Sequence, residues 1–166
     1  MDFRETIKES GGDKEFDKGN LFRALKEAVK LANIKDSNAL GVILYGSQTH
    51  GTARPDSDAD LLVIRATNDS DINYKSPARD ELQLAAKSKL EEFDIDATFE
   101  NPTTLDLDWA RSHADKKFVR DSFWMLDDAS IIIVGDDGLE EEIRSLLGFS
   151  GRKSQRELMG DPRYQK

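Results

Sequence analysis

Two apolar runs, ALGVILY at residues 39–45 and ADLLVI at residues 59–64, flank a small, polar, glycine-bearing segment. The second run opens on two aspartates, Asp58 and Asp60. Each run has the length of one strand and is bounded by turn-forming residues, so a buried β pair is the simplest reading. Side chains two apart on a strand share a face. Asp58 and Asp60 therefore lie on one side, with Leu62 and Ile64 continuing it, while Ala59, Leu61 and Val63 fill the other. Neighbouring carboxylates repel, and burying even one is costly unless something compensates its charge. A divalent cation between them does so. All-oxygen donors favour magnesium or manganese, and magnesium typically takes one or two carboxylates plus the phosphates of a substrate.

The remaining sequence supplies a frame for that pair. At 166 residues the chain suits one domain. Residues 1–19 are polar, with Gly11-Gly12 as a break, and read as a loosely held arm. From Asn20, a good N-cap, Leu21, Phe22, Leu25, Ala28, Val29 and Ala32 recur at helical spacing. The strand Ala39–Tyr45 follows, then a loop from Gly46 to Ser57 with a turn at Arg54-Pro55-Asp56, then a strand from Asp58 to Arg65. Ser76-Pro77 reads as an N-cap followed by proline at the first helical position, opening a helix with Leu82, Ala85, Ala86 and Leu90 on one face. Phe93–Phe99 is expected as the third strand. Thr103 or Thr104 opens a largely helical region to about Asp127, broken near Ala114. Ser130–Val134 reads as a fourth strand, and Leu139–Leu147 as a last helix ended by Gly148. This alternation predicts an α/β (α+β) class, with a mixed sheet of four to five strands flanked by helices. The domain is expected at 20–150, followed by a basic tail at 151–166.

Composition narrows the chemistry. With no cysteine, disulfides, thiolate metal sites and cysteine catalysis are excluded. No apolar run approaches the ~20 residues of a membrane span, and the first twenty residues lack the apolar core of a secretory signal. A cytoplasmic location is expected. The net charge of -9 makes nucleic acid an unfavourable general partner. The tail runs against that charge, with Arg152, Lys153, Arg156, Arg163 and Lys166 against Glu157 and Asp161. Three familiar motifs fail. Asp56, Asp58 and Asp60 open like a calcium loop, but Leu61 stands where its glycine belongs and Thr67 where its glutamate belongs. Gly46 and Gly51 have P-loop spacing, but Thr52 replaces the lysine. His50 and His113 are the only histidines and form no zinc pair. His50 stands close enough to Gly46-Ser47 to be weighed as a substrate contact.

More acids follow. In FDIDATF, Asp94 and Asp96 alternate with Phe93, Ile95 and Ala97. If this segment lies beside the Asp58–Asp60 strand, three carboxylates converge. Three acids can hold two metals about 3.5–4 Å apart, as in-line phosphoryl or nucleotidyl transfer requires. Gly46 lets backbone approach a phosphate, and Ser47 adds a hydroxyl and exposed N–H groups. Arg54 offers a charge-assisted contact to a triphosphate, or serves only as a solvated turn residue.

Gly46-Ser47, the DAD of residues 58–60 and an aspartate on a later strand together resemble the DNA polymerase β-like nucleotidyltransferase superfamily, most closely its minimal nucleotidyltransferase members. The resemblance is strong over residues 40–64 and weaker to residue 99. It implies nucleotide binding by Gly46 and Ser47. It also implies two Mg2+ ions, with Mn2+ as an alternative, on Asp58, Asp60 and a third acid that activates the attacking hydroxyl. Asp96 fits that third role best, with Asp94 as rival. One departure is His50, where such proteins often carry arginine.

The implied activity is transfer of an NMP, most simply AMP from ATP, to a hydroxyl acceptor with release of pyrophosphate. The resemblance also implies an alternative as an antitoxin paired with a helical toxin. For that reading, Trp109, Phe118, Phe123 and Trp124 offer either a partner surface or core packing. A third reading, transfer to an RNA end, would lean on the basic tail.

Overall fold

The computed structural model describes residues 18–46, 59–113, 115–127 and 131–149. Among the described residues nine elements follow one another: α1 (Lys18–Lys35), β1 (Ala39–Tyr45), β2 (Ala59–Arg65), α2 (Pro77–Glu91), β3 (Ala97–Asp106), α3 (Leu107–Ser112), α4 (Lys116–Ser122), β4 (Ile132–Gly135) and α5 (Leu139–Leu146). The four strands form one sheet in the order β3-β2-β1-β4. β1 runs antiparallel to both β2 and β4, while β2 and β3 are parallel. A parallel pair needs a crossover, and α2 supplies it. The expected mixed sheet flanked by helices is what forms.

Both faces of the sheet are buried, which is why β1 and β2 read as nearly continuous apolar runs. On one face, Val42, Leu44, Leu61, Val63 and Val134 pack against Leu21, Leu25 and Ala28 of α1 and Leu82, Ala86 and Leu90 of α2. On the other, Ile43, Leu62, Ile64, Leu105 and Ile133 pack under Leu107, Val119, Phe123, Ile143 and Leu147 from α3 to α5. The alternation expected for β2 is therefore present, with Ala59, Leu61 and Val63 on the first face and Leu62 and Ile64 on the second.

Local signals explain most boundaries. Ser76 caps α2, its hydroxyl accepting from the Arg79 amide, and Pro77 occupies the first turn. A break separates α3 from α4, where Asp115 caps the second helix by accepting from the Lys117 and Phe118 amides. Gly148 follows α5 with φ +70.

Other expectations are corrected. α1 begins at Lys18, so Asn20 is a helical residue; its side chain accepts from Arg23. The third strand is not Phe93–Phe99. Phe93 and Asp94 donate their amides to the carbonyls of Leu90 and Glu91, and Asp94 has φ +58, so this stretch is a helix-ending turn. The strand instead runs to Asp106, through Thr104 and Leu105, which pair with Val63 and Ile64. The helical region expected from Thr103 or Thr104 accordingly starts at Leu107 and ends at Ser122. The fourth strand begins at Ile132 rather than Ser130, which lies outside the described residues. So do the tail at 151–166 and all of the arm except Lys18 and Gly19.

Candidate functional site

Three strand ends meet at one edge of the sheet. β1 leaves at Tyr45-Gly46, β2 enters at Ala59-Asp60, and β3 enters at Asp96-Ala97. The antiparallel register sets Tyr45 opposite Asp60, and the parallel register sets Asp60 beside Thr98. The Ala59 amide donates to the Asp96 carbonyl at 2.8 Å, so β3 is bonded to β2 one residue before its assigned start. Ile95 is buried in the first-face core. Asp96 alternates with it, so Asp96 belongs by strand parity to the face of Asp60 and Thr98. Asp96 is exposed and Asp60 half-buried. Asp94 sits in the preceding turn, off the sheet.

Gly46 turns the chain out of β1 with φ +81, a conformation in which a side chain is strained. A Cβ at this position would run into the carboxylate of Asp60. Glycine is thus required twice, by its backbone angle and by the closeness of an acid. Ser47, His50, Arg54 and Asp58 lie outside the described residues. Of the site residues expected from sequence, the structure therefore brings together Gly46, Asp60 and Asp96. Among the described residues, no group of three His, Cys, Asp or Glu side chains could hold a metal ion. The donors that are present, the carboxylates of Asp60 and Asp96, are hard oxygens of the kind magnesium and manganese accept. The Asp60 carboxylate occupies the place where a side chain at Gly46 would otherwise stand. The described part of the site thus fits such an ion by donor chemistry.

Sequence reasoning overlooked Tyr45 and Glu100. The Tyr45 hydroxyl donates to Glu100 Oε2 at 3.2 Å. The phenol is pushed up to about 12, first by burial and then by the negative charges of Glu100 and Asp60 and by the hydrogen bond to Glu100. The available signal was parity: Asp96, Thr98 and Glu100 follow one another at intervals of two. The aromatics divide. Phe123 is buried and Trp109 packs on the core, whereas Phe118 is half-exposed and Trp124 is 81% exposed. His113 stacks on Phe118 and bonds to the Trp109 carbonyl.

No helix among the described residues is long and apolar enough to cross a membrane. Neither a curated protein nor a solved structure matches the chain significantly. The nucleotidyltransferase domain family does match, over residues 23–102, a span that runs from α1 into β3 and contains Gly46, Asp60 and Asp96. Over these residues the chain carries a minimal nucleotidyltransferase-type domain of the DNA polymerase β-like superfamily.

Proposed function

We propose that this domain transfers the nucleoside monophosphate of an NTP, AMP from ATP, to a hydroxyl acceptor and releases pyrophosphate. The observation that carries the reading is the juxtaposition of Asp60, Gly46 and the Asp96 end of β3 at one sheet edge, inside the family match. Gly46 and Ser47 cradle the triphosphate, and Arg54 adds a cation to it. Asp58, Asp60 and Asp96 are the residues that would hold two magnesium or manganese ions. Such ions, when bound, supply charge neutralisation on the triphosphate and alignment of the attacking and leaving oxygens.

The acceptor oxygen forms its bond to the α-phosphorus as the bond to the pyrophosphate oxygen breaks. The hydroxyl proton passes to the carboxylate of Asp96, which is more open to solvent than Asp60. Asp96 is preferred to Asp94 because its backbone is bonded to β2, whereas Asp94 belongs to the turn. ATP as donor follows only the habit of the family. The reaction belongs in the cytoplasm, where NTPs are made.

A second reading places the acceptor hydroxyl on a partner protein, the toxin of a toxin–antitoxin pair. The exposed rings of Phe118 and Trp124 favour it. One experiment addresses both. The protein is incubated with each labelled NTP and magnesium, with and without cell extract. Label from ATP should pass to an acceptor, and Asp60→Asn should lower that transfer by more than about a hundredfold while leaving the fold intact. Transfer retained by Asp60→Asn would refute the assignment. A labelled protein band points to the partner reading and labelled RNA to an RNA-end acceptor.

A further inference from the structure

β1 and β3 are not neighbours; β2 lies between them. A hydrogen bond from Tyr45 on β1 to Glu100 on β3 must therefore cross β2. It crosses on a known side. Tyr45 packs against the second-face core, the face that holds Leu62 and Ile64 and, by parity, Asp60. Tyr45 is also the direct antiparallel partner of Asp60, and Glu100 stands two residues beyond Thr98, the parallel partner of Asp60. The phenol and the carboxylate that accepts from it thus form a bar across β2, laid along the inner side of Asp60. On the outer side stands Gly46, whose missing side chain leaves room for the Asp60 carboxylate.

We propose that Tyr45 and Glu100 are positioning residues of the nucleotidyl-transfer site, the hydrogen bond between them bracing three strands and fixing where the Asp60 carboxylate stands beside Gly46. The phenol has one proton to donate, and Glu100 receives it. Tyr45 therefore does not donate to Asp60; it stands beside that residue as its direct cross-strand partner. Groups behind a metal-binding carboxylate commonly set its orientation, and their loss weakens metal binding without unfolding the protein. This inference rests on the proposed reading of Asp60 as a metal ligand.

The test measures Mn2+ binding by electron paramagnetic resonance in the presence of ATP, beside thermal melts of the same samples. Tyr45→Phe keeps the ring and loses the hydroxyl, and should weaken Mn2+ binding by about tenfold with little change in melting temperature. Glu100→Ala should do the same. Glu100→Gln keeps an acceptor oxygen and should restore most of the affinity. The double variant Tyr45→Phe/Glu100→Ala should be no weaker than either single one, because both break the same bond. Wild-type affinity in Tyr45→Phe would overturn the proposal, as would losses that add in the double variant. Asp60→Asn separates the two levels. If it abolishes Mn2+ binding while Tyr45→Phe does not, only the brace fails. If Asp60→Asn also binds as wild type, the reading of the site itself fails.

Discussion

The two ends of β2 treat negative charge in opposite ways. At the far end, Arg65 is buried between two acids. Its Nε and Nη2 donate to both oxygens of Asp106 at 2.6 and 2.9 Å, and its Nη1 donates to Asp69 at 2.7 Å and to the hydroxyls of Ser70 and Ser76. Burial by itself would raise the Asp69 carboxyl; bonds from Ser76, the Ala78 amide, Asn38 and Arg65 outweigh it and hold it below its ordinary value. At the near end, Asp60 faces a tyrosine across the strand pair, and that tyrosine donates its hydrogen bond to a further acid, Glu100. A guanidinium neutralises the acids around it. A phenol does not, and the upward push of Glu100 and Asp60 on Tyr45 records the local negative charge. One end is a clasp complete within the chain, joining β2, β3, the loop after β2 and the start of α2. The other end collects acids at the proposed nucleotidyl-transfer site.

That contrast breaks most sharply through Arg65. Arg65→Met removes a buried cation and leaves the half-buried Asp69 and Asp106 without it; removing one partner of a fully buried pair typically costs about 3–5 kcal/mol, which is the upper bound here. Asp60→Asn, nearly the same shape with one charge fewer, should change stability by no more than about 1 kcal/mol. Urea denaturation of both variants without divalent cations makes the comparison. Equal losses would mean that the two ends do not differ in the way described.

The clasp was not legible in the sequence, and the reason is distance along the chain. Arg65 at the end of an apolar run reads as the point where a strand meets water. Its main partner, Asp106, is brought to it only by the parallel pairing of β2 and β3. The same pairing hid the true extent of β3. Asp94 and Asp96 alternate with apolar residues as a strand should. Yet the Ile95 amide closes back on the Leu90 carbonyl, and the turn it completes uses up the first half of the pattern. Thr103 and Thr104 look like helix caps until β2 offers Thr104 a ladder. What was legible depended on neighbours in sequence: the apolar runs of β1 and β2, the Ser76-Pro77 start, and the glycine after β1, read as room for a phosphate and found to make room for the Asp60 carboxylate. Of the acidic end, Gly46, Asp60 and Asp96 could be named in advance; parity could have placed Glu100 on their face, but its bond to Tyr45, made across an intervening strand, has no local signature.

A smaller effect sharpens the description of the near end. Gly46→Ala forces an L side chain into a left-handed conformation, a strain of about 1–2 kcal/mol. Its Cβ also meets the Asp60 carboxylate. Stability should fall by about that amount and nucleotidyl transfer should be lost, since the acid must move. An alanine variant as stable and active as wild type would show that neither the turn nor the closeness matters. A stable but inactive one would show that the chain relieves the strain by displacing Asp60.

The smallest effect is also the most direct probe of the charge gathered there. An unfolded tyrosine loses its proton near 10, whereas Tyr45 holds its own to about 12. Between those values the unfolded chain binds fewer protons than the folded one, so stability must fall as the pH rises through this window, while below it Tyr45 contributes no slope. The far end gives the opposite sign. The lowered Asp69 carboxyl contributes stability above the ordinary carboxylate value of 3.8, and this is lost as the pH falls below it. Tyrosinate absorbance of the wild type minus that of Tyr45→Phe isolates the one phenol and should show its midpoint near 12. Glu100→Gln should bring that midpoint down toward 10 without reaching it, because burial, the largest cause of the rise, remains. An unmoved midpoint in Glu100→Gln would mean that the charge of Glu100 does not lift Tyr45, and would remove it from the acids gathered at the near end.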